Sequence, residues 1–222
     1  MAKAQNYEVR EGRTELIIPK TKFIHPFEGP NTYRAVGEGV LGRKLSLPTA
    51  EQTANLLHAS YCGPESFREN PRVEEVRNIM GNRYFWVFNR NLWTSEGVYV
   101  VSDPSATGLS ESLSQDELQR RLGEGNDVRF APKDSYQLGE HTPKSWAKDG
   151  FVIATFGEEG AEKTAEIASK FRNYPRTWGL TISKGDKPIQ KVSAVLDFGG
   201  RLGLDGNCDD NNRYGFASGV SA

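Results

Sequence analysis

The chain has 222 residues, 36% of them hydrophobic and 26% charged, enough apolar material for a core in one large domain or two small ones. Its 28 basic and 29 acidic residues leave a net charge of -1, which argues against a nucleic-acid partner. No apolar run approaches the ~18 residues of a membrane span. The N-terminal MAKAQNYEVREGR has no apolar centre and does not read as a secretory signal. The chain is therefore expected to be cytoplasmic as synthesised, with surface or virion display needing another route. Three His and two Cys leave little material for a metal site. Cys62 and Cys208 match no zinc spacing and are expected to be unpaired.

Leu16-Ile17-Ile18 predicts a short strand ended by Pro19. From 23 to 48, Pro26, Pro30 and Pro48 with Gly29, Gly37, Gly39 and Gly42 predict loop and short strand, with no helix. The letters of Gly37-Glu38-Gly39-Val40-Leu41-Gly42 match a dinucleotide fingerprint. That motif needs a helix N-terminus facing the pyrophosphate. No helix pattern follows before Pro48, so nucleotide binding is set aside. Thr49 and Gln52 form a capping-box pattern, and Ala50, Ala54, Leu57 and Tyr61 then recur on one helical face. Gly63-Pro64 stops that helix, and His58 on it reads as structural or solvated. Asn70 and Pro71 open a second helix with Val73, Val76 and Met80 inward.

Residues 83–101 are the aromatic centre of the chain. Tyr84, Trp86 and Phe88 alternate with Phe85 and Val87 in a strand apolar on both faces, the pattern of a buried central strand. Asn89-Arg90-Asn91 is expected to break the run before Leu92-Trp93. Trp93 is the candidate for an exposed aromatic platform. Gly97–Val101 is a further strand, and 102–113 is loop. Ser114 and Glu117 cap a short helix carrying Leu118 and Leu122 and ending at Gly123. Val128–Ala131 is a strand, and 132–150, with an isolated His141, reads as a surface excursion. Unbroken apolar character predicts a buried strand at Phe151–Thr155. It leads through Gly157 into a helix with Ala161, Ala165, Ala168 and Phe171 inward. The Gly157–Thr164 run fails as a phosphate loop, because Glu162 precedes Lys163 and three Glu would repel a polyphosphate. A strand at Arg176–Ile182 and a turn at Lys184–Pro188 complete this part. No repeat or linker appears, so a single domain over 1–222 is expected.

The last thirty residues organise the rest. Val192, Ala194 and Leu196, then Tyr214, Phe216 and Ser218, have the alternation of strands. Between them lies a Gly-, Asp- and Asn-rich insert that favours turns and can bury little. Arg201-Leu202-x-Leu204-x-Gly206, the polar loop, and Tyr214-Gly215-Phe216-Ala217-Ser218-Gly219-Val220 resemble the end of the variable proteins of diversity-generating retroelements. Leu47–Gln52 and Leu92-Trp93-Thr94-Ser95 fall in the order seen in the related sulfatase-modifying-factor branch. The resemblance implies an α+β, C-type-lectin-like fold, with short mixed or antiparallel sheets and two or more helices. It also implies a C-terminal variable region over about 191–222 that carries diversified ligand-binding residues.

Carried onto this chain, the resemblance makes Arg201, Leu202, Leu204, Gly206, Phe216 and Val220 framework. It puts Asp197, Phe198, Gly199, Gly203, Asp205, Asn207, Cys208, Asp209, Asp210, Asn211, Asn212 and Tyr214 on one ligand-binding face, with Trp93 added from the aromatic run. Asp205, Asn207, Asp209 and Asp210 also resemble the start of a calcium loop. The EF-hand pattern needs Gly at Asp210 and Glu at Phe216, so it fails. A looser oxygen site stays open, but no metal or cofactor is assigned. Formylglycine-generating enzymes of the same fold use a close cysteine pair in this region, and only Cys208 is present. The expectation is a non-catalytic binding protein for an unknown protein or other macromolecular ligand. The competing readings are an enzyme with a pocket near Trp93 and a structural or virion assembly protein.

Overall fold

The computed structural model describes residues 8–10, 14–18, 21–122, 124–125 and 127–221; the stops expected at Pro19 and Gly123 lie outside these. Among the described residues the chain runs β1 (Glu8–Arg10), β2 (Thr14–Ile18), β3 (Thr21–Asn31), α1 (Tyr33–Gly42), α2 (Ala50–Cys62), α3 (Glu65–Arg68), α4 (Pro71–Asn82), β4 (Tyr84–Trp93) and β5 (Gly97–Ser102). It continues through α5 (Gln115–Arg121), β6 (Val128–Pro132), β7 (Gly139–Glu140), α6 (Pro143–Trp146), α7 (Gly150–Ala168), β8 (Arg176–Trp178), β9 (Ile189–Asp197), β10 (Leu202–Cys208) and β11 (Gly215–Ser221).

The strands join in one hydrogen-bonded network of order β1-β2-β3-β11-β4-β9-β10-β8-β7, with β5 beside β4 and β6 beside β5. Pairing is antiparallel except for β10 with β8 and β11 with β4. The C-terminal strand thus sits in the middle, between β3 and β4.

β4 is buried on both faces, as its sequence predicts. Phe85 and Val87 enter a core built with α2, α4 and α7. Trp86 and Phe88 enter a second core, with Tyr33, Val36 and Val40 of α1. Burial of each such side chain stabilises the fold by roughly 1.5–3 kcal/mol. The capping box on α2 is present in both directions: Thr49 Oγ1 accepts from Gln52 N and Gln52 Oε1 accepts from Thr49 N. α4 starts as expected, with Asn70 accepting from Arg72 N ahead of Pro71, and buries Val73, Val76 and Met80.

Several stretches differ from expectation. Residues 33–42 form α1, capped by Thr32 accepting from Ala35 N. Helix interiors disfavour glycine by about 1 kcal/mol each, but here a Cβ on Gly37 would lie 2.1 Å from that of Ala106. Close packing, not propensity, puts glycine there. The fingerprint letters therefore lie inside a helix and form no phosphate turn. The Asn89-Arg90-Asn91 run does not end β4. A register shift absorbs it, and Asn91 Nδ2 donates to Ser193 Oγ and to the Gly206 carbonyl inside the core.

Residues 151–155 are helix, because Asp149 caps α7 by accepting from Phe151 N and Val152 N. An all-apolar run of five fits a buried helix as well as a strand. Gly157, at φ 76, kinks α7. Residues 132–150 are no mere surface excursion. Trp146, His141 and Asp149 are buried there, with Trp146 Nε1 donating to Thr164 Oγ1. The strand expected at 176–182 stops at Trp178. No helix among the described residues is long and apolar enough to cross a membrane.

Candidate functional site

Residues paired laterally in a sheet project to the same side. Tyr84 pairs with Leu196, Leu196 with Gly203, and Gly203 with Arg176. In the next row Trp86 pairs with Ala194, Ala194 with Asp205, and Asp205 with Trp178. Two rows therefore cross four strands on one face. Their inner members, Trp86 and Ala194, are buried under α1. Their outer members, Leu196, Asp205, Arg176 and Trp178, are only half-buried, and no described helix packs there. The alternate residues Val195, Leu202, Leu204 and Thr177 point to the opposite side and are buried.

The terminal residues named from sequence separate into those at this open surface and those doing structural work. Phe198, 62% exposed, packs edge-on against Trp178 at 5.9 Å between centroids. Gly203 lies beneath, and a Cβ there would be 2.4 Å from Trp178 Cζ3; glycine lets the indole lie on the strand. Asn207, Asp209, Asn211, Asn212 and Tyr214, with Arg213, line a shallow open depression beside it. Tyr214 is 57% exposed, with the Arg83 guanidinium 5.2 Å from its ring centroid. Asp209 pairs with Lys191 at 2.5 Å.

Asp205 lies on the open face, where it accepts from Asn207 N. Burial raises its carboxyl above the usual range, opposed by the bonds from Asn207 N and Cys208. Cys208 is not exposed as expected. It ends β10 half-buried against the α1-side core, and burial, then the Asp205 charge, push its thiol up. Cys62 and Cys208 are both free.

Asp197 pairs across from Leu202 on the core-facing row. Its Oδ1 accepts from Gly200 N and Arg201 N, so it shapes the β9–β10 turn that holds Gly199. Asp210 likewise holds the loop to its neighbours: its carbonyl accepts from Tyr33 N and its Oδ2 from Leu109 N. Asp205, Asp209 and Asp210 thus take separate partners and do not converge on a common point.

Trp93 is fully buried, which removes it from any exposed platform. It faces the α7-side core, packs on Phe151 and Tyr136, and donates Nε1–H to the Gly206 carbonyl at 2.9 Å. Sequence reasoning missed Tyr84, Leu196, Arg176, Trp178 and Arg213. The alternation Arg176-x-Trp178 was the available signal, but its face depends on pairing with β10. Arg176 Nε is buried with no hydrogen-bond partner, and its guanidinium lies 5.6 Å from the Trp178 ring centroid. The open face therefore combines three aromatic rings, two guanidiniums near them, and exposed amides.

A second concavity, of about 240 Å³, lies elsewhere, lined by Thr49, Glu51, Asn89, Asp127 and Arg129 among others. Trp93 lines neither.

No protein-family model matches this chain, and no curated protein matches it. It is similar to a solved structure described as accommodating massive sequence variation in Nanoarchaeota by the C-type lectin fold. The two are 18% identical, over 90% of this chain and 97% of that one, with a TM-score of 0.58. This protein has a C-type lectin fold. In this C-type lectin fold most of the open face is built by β8, β9 and β10 and by the loop entering β11, within residues 176–214, with Arg83 and Tyr84 added at the edge of β4. That concentration of one surface in one terminal segment is a property of the topology, because β9, β10 and β8 are successive neighbours in the sheet.

Proposed function

We propose that this protein binds a macromolecular ligand, most simply another protein, through the open face of β8–β10 and the 209–214 loop. We propose further that the exposed positions of the terminal segment are diversified, as in the variable proteins of diversity-generating retroelements, and that the role is non-catalytic. One observation carries the reading: Phe198, Trp178 and Tyr214 stand on or beside strands whose alternate residues are locked in the core. Rigid aromatic anchors add contact area at low ordering cost, and amides such as Asn207, Asn211 and Asn212 adapt their hydrogen bonds. The structural neighbour's tolerance of sequence variation on a C-type lectin fold supports the same reading.

The test is a pair of libraries. One randomises Phe198, Asn207, Asp209, Arg213 and Tyr214; the other randomises Leu202, Leu204 and Gly206. Each is scored for folded protein and for capture by a panel of immobilised proteins. The first library is expected to fold and yield binders, the second to collapse. Equal folding of both would overturn the reading. A near-identical template of the 191–222 coding segment, beside a reverse transcriptase gene, would establish the diversification separately. Turnover of a substrate held in the polar cavity by Asn89 and Arg129 would instead favour an enzyme.

A further inference from the structure

We propose that His58, Cys62 and Glu166 form a transition-metal site of the zinc class, with three protein ligands and one position for water. His58 and Cys62 are four residues apart on α2, so both side chains leave the same helical face. Glu166 reaches them from α7. One ligand atom from each lies within 4.8 Å of the other two. His58 Nε2 and Glu166 Oε2 are 2.7 Å apart, so the two ligand atoms already face each other.

The donor set chooses the ion. Imidazole, thiolate and carboxylate together suit zinc, whose protein sites use Cys, His and Asp or Glu. Calcium and magnesium take oxygen ligands instead. Cys62 is the last residue of α2, where the helix end carries partial negative charge that favours a cation. Burial pushes the Cys62 thiol up, with the Lys170 and Arg68 charges opposing that and the Glu166 charge adding to it. The two cations also oppose the ion's charge. Binding forms a metal–sulfur bond and releases the Cys62 proton to solvent. Glu166 is exposed, whereas His58 and Cys62 are half-buried. A bound ion would tie α2 to α7 on the side of the sheet opposite the candidate ligand surface. Sequence spacing could not reveal the site, because its third ligand lies 108 residues from His58.

The experiment titrates the purified full chain, reduced and metal-free, with cobalt(II) as a spectroscopic probe and with zinc in competition against a chromophoric chelator. The expected result is one ion per chain and a thiolate-to-cobalt charge-transfer band that zinc abolishes. Cys62→Ser is expected to lose the band, and Cys208→Ser to keep it. His58→Ala and Glu166→Gln are each expected to weaken zinc binding by at least the ~10–100-fold that loss of a supporting partner costs. Alkylation of the unmutated protein removes any dependence on how the variants fold: zinc is expected to protect Cys62, read by peptide mapping. A native chain with no cobalt–thiolate band, a band lost in Cys208→Ser, or Cys62 alkylated equally with and without zinc would overturn the site.

Discussion

The two faces of β10 differ in what they can tolerate. Leu202 and Leu204 point toward α2 and α7 and are fully buried, and Gly206 lies against Phe151 and Trp93. Gly203 and Asp205, one residue out of step, point the other way, under Trp178 and beside the open depression. The same seven residues therefore carry a core and part of the open, proposed recognition surface at once. A strand can do this because its side chains alternate with period two. The lesson is that a terminal segment can vary on one face only if the other is fixed, so the division between faces is measurable.

The largest effect is expected on the covered face. Leu202→Ala leaves a cavity in a packed core and is expected to cost about 2–5 kcal/mol in chemical denaturation. A cost near zero would break the comparison. Gly206→Ala adds a Cβ that would lie 2.3 Å from Phe151 Cζ; overpacking of this kind is expected to cost about 1–3 kcal/mol. Wild-type folding at Gly206→Ala would mean that α7 yields more readily than its packing implies.

A subtler difference involves pH. Asp149 is buried where it caps α7, and burial raises its carboxyl above the usual range against the opposing bonds from Gln137 N and Val152 N, the His141 charge and the bond from Phe151 N. Between the ordinary aspartate pKa and the raised one, the folded chain holds more protons than the unfolded chain. Its contribution to stability therefore falls as pH rises through that window and is largest below it. Asp149→Asn is expected to flatten this part of the stability profile, whatever its absolute stability. An unchanged profile in denaturation over the pH range upward from the ordinary aspartate pKa would show that the proton is not held there.

The smallest effects belong to the open surface. Replacing Phe198, Asn207 and Tyr214 together by alanine is expected to cost no more than about 0.5 kcal/mol per site. Asp197 and Asp210 are excluded from that set, because each holds backbone N–H groups in place. If the triple variant unfolds while Leu202→Ala does not, the assignment of the two faces is reversed.

Local chemistry settled much of this fold. The Thr49–Gln52 box, Asn70 with Pro71, and the alternation through 192–196 each dictate an element from residues adjacent in sequence, since caps and strand periodicity act within a few residues. The polar composition between Asp197 and Tyr214 made turns evident at 198–201 and 209–214, but not β10 between them, which that insert was not expected to hold and whose Leu202 and Leu204 are buried. The terminal resemblance pointed to the fold that the tertiary structure has. What sequence could not settle was decided by partners distant along the chain. Gly37 is helical because α1 packs against Ala106, and Asn91 stays in β4 because Ser193 and the Gly206 carbonyl satisfy its amide. Trp93 is core because α7 supplies Phe151 beside it. Arg176 and Trp178 reach the open face only because β8 pairs in parallel with β10 at one register. A shift of one residue there would turn both side chains into the core, and no pattern within three residues of β8 specifies that register.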